Sequence, residues 1–133
     1  MRDNTTIKFK LAELLEAVAI IGVLVAVSIP IFTSQLRKAK VATDQANARA
    51  GKAAAVAAAL EAQSESATTY YYNAETGVVA TAQTGIKAYG KTSDAKAADG
   101  IEGVTADTDL TKDIVKIEIK ADNSVNVSWV AAS

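Results

Sequence analysis

The chain has 133 residues, 14 basic against 15 acidic, a net charge of −1, and neither cysteine nor histidine. That balance argues against a nucleic-acid binder, which needs a concentrated basic face. Without histidine the usual general base and the commonest metal ligand are missing, so neither an enzyme nor a cofactor is expected. Without cysteine, packing rather than disulfides must hold the fold.

A short basic segment, residues 1–8, leads into Phe9–Phe32, FKLAELLEAVAIIGVLVAVSIPIF. As a helix, Leu11 to Phe32 spans about 33 Å at 1.5 Å per residue, against a bilayer hydrocarbon core of about 30 Å. The charges inside it are Glu13 and Glu16. A carboxylate at that depth costs up to about 3 kcal/mol and is normally there for a partner. Lys10 and Glu13 share a helical face, as do Glu13 and Glu16, so Lys10 can pair with Glu13 within the chain. Gly22 lowers local helix stability by about 1 kcal/mol and Pro30 removes a backbone donor, which makes 22–30 the place to bend. An ordinary single-span anchor or an uncleaved signal peptide is the competing reading. Against the signal peptide, the apolar run continues straight into a helix with no loop carrying a small-residue cleavage site. Basic residues flank both ends (Arg2, Lys8 and Lys10; Arg37, Lys38 and Lys40), so charge does not set the topology.

Beyond Pro30 the helix is expected to continue to about Gln63. Phe32, Leu36, Ala39, Ala42, Ala46, Ala50, Ala53, Val56 or Ala57, and Leu60 recur every three or four residues as one apolar stripe. Arg37, Lys38, Lys40, Asp44, Arg49, Lys52 and Glu61 lie mostly off it. The stripe is mostly alanine, a thin ridge on which another layer can sit closely.

Thr68–Asn73 reads as a strand, residues 73–77 (NAETG) as a turn, and residues 78–82 as the returning strand. Residues 83–112, rich in Gly, Ala, Asp, Lys and Thr, read as a long outward-facing loop with one short helical turn. Residues 113–121 alternate, with Val115, Ile117 and Ile119 on one face and Lys116, Glu118 and Lys120 on the other. Asp122 and Asn123 make a turn, and residues 124–130 return with Val125, Val127 and Trp129 on one face. Tyr70 to Tyr72 and Trp129 are read as sheet and core residues. The expected fold is α+β: a long helix over about 9–63, its stripe covered by an antiparallel sheet of about four strands. Residues 33–133 form the globular part.

The acidic run 107–113 carries two motif spacings. Asp107, Asp109 and Thr111 match an aspartate phosphotransferase loop, a chemistry that needs a buried parallel strand in a far larger domain. Asp107, Asp109, Thr111, Asp113 and Glu118 stand at calcium-loop spacing, but Lys112 occupies the glycine position and Glu118 falls in the expected strand. Asp107, Asp109 and Asp113 are therefore a weak calcium candidate, set against a solvated loop balanced by Lys112 and Lys116.

The run KFKLAELLEAVAIIGVLVAVSIP resembles the start of type IV pilins and the related secretion or competence pseudopilins. Phe9, Leu11, Glu13, Leu14, Leu15, Gly22 and Pro30 stand in that family's register. The detailed match covers residues 8 to about 45; beyond it only the architecture agrees. The resemblance implies a pilin-like fold and a structural subunit that polymerises with copies of itself through this helix into a surface filament. It implies a single-pass stay in the cytoplasmic membrane before assembly, and as partners a prepilin peptidase and the pilus assembly machinery. Phe9 would become the methylated N-terminus, and Glu13 would pair with a neighbour's freed amine, since both charges need partners in a dry bundle. The expected assembly residues are Phe9, Glu13, Gly22 and Pro30, which stand in the family's register, together with Glu16, which does not. Three positions depart from the pattern. Lys8 stands where the family carries glycine, and a peptidase pocket shaped for a residue without a side chain disfavours lysine. Lys10 and Glu16 replace a small polar and an apolar residue.

Overall fold

The computed structural model describes the backbone of residues 4–133 and the side chains of residues 12–21 and 32–133. It divides into two units, Met1–Arg37 and Lys38–Ser133. Helix α1 (Asn4–Ala62) supplies the described part of the first and the opening element of the second. The helix therefore takes in residues 4–8 of the leader-like segment, and its assignment runs through Gly22 and Pro30. It ends where Gln63 turns left-handed, at φ 51°, and its N–H donates to the Leu60 carbonyl.

The second unit is α+β, with α1 followed by a four-stranded antiparallel sheet of order β2-β1-β3-β4. The strands are β1 (Thr68–Asn73), β2 (Val78–Ala80), β3 (Asp113–Ile119) and β4 (Val125–Ala131). β-Branched and aromatic side chains favour extended backbone, and strict alternation sorts them. Tyr70, Tyr72, Val115, Ile117 and Val127 are buried together, with Ile119, Val125 and Trp129 packed against them. Ile114 is also fully buried, on the other face of β3. The β1–β2 turn is closed by the Asn73 side chain accepting from Glu75 N–H and by Gly77 at φ 75°. In the β3–β4 turn the Asp122 carboxylate accepts from Ser124 N–H and Oγ, and Asn123 takes the left-handed position at φ 67°.

The sheet does not cover the expected stripe. Ala39, Ala42, Ala46, Ala50, Ala53, Ala57 and Leu60 are exposed. The covered face is Asp44, Ala48, Gly51 and Ala55, with half-buried Val41, Ala58 and Ala59, roughly opposite the expected one at about 100° per residue. Close approach selects this phase. A Cβ added at Gly51 would lie 3.0 Å from Tyr72 Cβ and 3.3 Å from Val115 Cγ1, so the one helical glycine of this unit is where the sheet comes nearest.

The segment between β2 and β3 keeps most of its residues exposed, as expected of a surface loop, but it also carries core residues. Apart from one helical turn at Ala97–Asp99 it is irregular, yet Ala95, Ile101, Val104 and Leu110 form a second buried cluster with Val41 and Trp129 against it. Ala95 and Thr108 exchange two backbone hydrogen bonds of 2.9 Å, and Leu110 N–H donates to the Thr92 carbonyl. Gly90 is required by space, since a Cβ there would fall 1.8 Å from the Leu110 carbonyl oxygen.

Candidate functional site

In the first unit, residues 12–21 (AELLEAVAII) are all exposed. Leu14, Leu15, Val18, Ile20 and Ile21 keep 59–70% of their surface open. Burying a side chain of this kind is worth about 1.5–3 kcal/mol, so these five together leave roughly 10 kcal/mol unrealised in an isolated chain. Glu13 and Glu16 share a helical face with Ala17, Ile20 and Ile21 by their i, i+3, i+4, i+7, i+8 spacing. Of the other sequence-nominated assembly positions, the side chains of Lys8, Phe9, Gly22 and Pro30 lie outside the described residues, as does that of Lys10. Among the described residues no helix is long and apolar enough to cross a membrane. Of the expected span, Phe9–Phe32, the side chains of residues 9–11 and 22–31 lie outside the described ones.

The acidic run does not gather into a calcium loop. Asp107 and Asp109 line a shallow depression of about 250 Å³ with Ser93, Asp94, Lys96 and Thr108, and Asp113 is not part of it. Asp109 Oδ1 is taken up by the Thr111 hydroxyl at 2.6 Å and the Thr111 N–H at 2.9 Å, which hold its carboxyl below the usual carboxylate range. Asp113 is pushed up, by burial first and then by the charge of Asp109. Glu118 sits on β3 and pairs with Lys116 at 2.9 Å, and this contact lowers the carboxyl and raises the ammonium. Among the described residues no three potential ligands converge on a metal position.

Three polar anchors escaped the sequence. Asp44, placed there off the expected apolar stripe, is fully buried. Its carboxylate accepts from Lys91 N–H at 2.9 and 3.2 Å and from Thr92 N–H at 2.8 Å, fastening the segment before β3 to the helix. Gln45 Nε2 donates to the Asp99 carbonyl at 2.6 Å, one residue further along. Tyr89 inserts its hydroxyl between β1 and β3, accepting from Val115 N–H and donating to the Tyr72 carbonyl, both at 2.8 Å. Its ring meets those of Tyr72 and Trp129 edge-on. Burial pushes its phenol far above the ordinary range, so it stays a neutral donor and acceptor.

The exposed helix surface of the second unit borders an open groove of about 550 Å³. Ala53, Val56, Ala57 and Leu60 form its apolar part, with Arg49, Lys52 and Glu102 as its charged groups. Lys52 Nζ pairs with Glu102 Oε1 at 2.7 Å. Arg49 has no hydrogen-bond or ion-pair partner among the described residues.

No protein-family model, curated protein or solved structure matches the chain.

Proposed function

We propose that the chain is a structural subunit of a type IV pilin-like filament, held in the cytoplasmic membrane as a single pass before assembly and polymerising through its N-terminal helix. The observation that carries this reading is the exposure of residues 12–21 on every side of α1, with five large apolar side chains and two carboxylates among them. Such a surface belongs in lipid or against other helices, since exposed apolar area of this extent marks an interaction site. The carboxylates favour the second destination, because lipid offers them no partner and a neighbouring subunit does. The pilin-register residues Phe9, Glu13, Gly22 and Pro30 add the resemblance, and the helix-plus-sheet second unit fits a subunit whose folded part is carried on the outside of a helical bundle. The work of such a subunit is assembly rather than catalysis.

Self-cross-linking tests the reading. A photo-reactive residue at Leu14 or Val18 should join copies of the chain in intact cells. An anchor that works as a monomer would give no self-adduct, and the proposal would then be withdrawn.

A further inference from the structure

We infer that the groove along Arg49–Leu60 is the seat for residues 13–21 of a second copy of this chain, packed parallel to it. The inference rests on the filament reading above and adds to it a particular pair of complementary surfaces. Both carry the same spacing. The carboxylate-bearing face of the first unit reads Glu13, Glu16, Ala17, Ile20, Ile21, and the groove's helical wall reads Arg49, Lys52, Ala53, Val56, Ala57. Each is an i, i+3, i+4, i+7, i+8 set, and each member of the second stands 36 positions after its counterpart in the first. Acid faces base at one end of this pairing, alanine faces alanine in the middle, and isoleucine faces the Val56–Ala57 floor at the other. Reversing the direction would set Glu13 and Glu16 on the apolar floor and leave Arg49 unmatched.

Charge decides which contacts carry the docking. Lys52 is already neutralised by Glu102 at 2.7 Å, and Glu102 repels an incoming carboxylate. Arg49 is exposed and has no partner among the described residues, so Glu13 on Arg49 is the determining pair, and Glu16 shares Lys52 with Glu102. Arg49 thus offers Glu13 a cation that does not depend on leader removal at Lys8. The alanines at 17 and 53 let the two helices approach closely, as small residues do at helix interfaces. The two patches are different parts of the same chain, so the contact is heterologous, and a heterologous contact that does not close propagates as an open filament.

The chain has no cysteine, which makes a disulfide test clean. The full chain carrying Ala17→Cys and Ala53→Cys is expressed in its host, surface filaments are sheared off, and the oxidised fraction is run without reductant. The docking predicts a ladder of covalent multimers that collapses on reduction. Filaments that form but stay monomeric with this pair, while Ala17→Cys with Ala46→Cys gives the ladder, would overturn the docking and leave the filament reading standing. Absence of the parent chain from the sheared fraction would remove both. Arg49→Glu, at an exposed position, should lower filament yield at least tenfold with the membrane pool unchanged, and yield equal to the parent would overturn the assignment of Arg49.

Discussion

Replacing Asp44 by alanine is the sharpest test of how the second unit is held together. The carboxylate is fully buried and receives two backbone N–H groups, from Lys91 and Thr92. Truncation leaves both donors without an acceptor, the Thr92 N–H in a buried position and the Lys91 N–H in a partly buried one. Each orphaned group costs about 1–3 kcal/mol, so the loss is about 2–6 kcal/mol, before any added cavity term. For a domain of this size 1 kcal/mol moves Tm by about 4–8 °C, and the variant should melt at least 8 °C or so below the parent. Asp44→Asn retains one acceptor oxygen but turns an amide towards the donors, and should fall between the two. The assay is thermal and urea unfolding of the detergent-solubilised chain followed by Trp129, the one tryptophan, which packs against the cluster that Asp44 helps to close. Asp107→Ala, on the exposed surface, is the control. An Asp44→Ala protein within 0.5 kcal/mol or so of that control would refute the reasoning, because a surface substitution away from special features costs no more than that.

Three further outcomes follow from the same packing. Tyr89→Phe removes the hydroxyl that joins Tyr72 and Val115; it should cost about 1–3 kcal/mol and speed amide exchange at Val115, and unchanged exchange there would count against the bridge. Gly90→Ala places a methyl group onto the Leu110 carbonyl, so the segment before β3 must shift, and urea unfolding should show a loss of about 3 kcal/mol or more. Asp113 has a raised carboxyl in the folded state, so the fold favours its protonated form. That contribution is complete below the ordinary value of 3.8 and is lost as pH rises through the folded value. Asp113→Asn should therefore raise the urea midpoint at neutral pH and leave it unchanged at about pH 3; a gain equal at both pH values would exclude the electrostatic cause.

Elements governed by near neighbours were legible in the sequence. The alternation of Val115, Ile117 and Ile119 against Lys116 and Glu118, the Asp122–Asn123 turn and the Thr68–Asn73 strand all appear where local pattern placed them. The helix was legible as a helix, but its covered face was not. In a segment so rich in alanine almost any phase yields an apolar stripe, so periodicity could not choose one. The choice was made by Gly51, which lets Tyr72 and Val115 approach, and by Asp44, whose partners lie 47 and 48 residues further along. The same distance hid the order of the 83–112 segment. Its weak periodicity reflects stabilisation by contacts with α1, β4 and the Tyr89 bridge rather than by regular hydrogen bonding. In the candidate surface, Glu13 and Glu16 were visible as charges out of place in an apolar run. The cationic groove at Arg49 was not, because Glu102 completes it from a segment 50 residues beyond Lys52.

The filament reading is tested most directly by the intact mass of the protein in the surface-shear fraction of its native host. A mass corresponding to a chain that begins at Phe9 and carries one added methyl group is the predicted result, and it would also show that Lys8 is accepted at the processing position. Full-length chain confined to the membrane fraction, with none in the sheared material, would contradict the account.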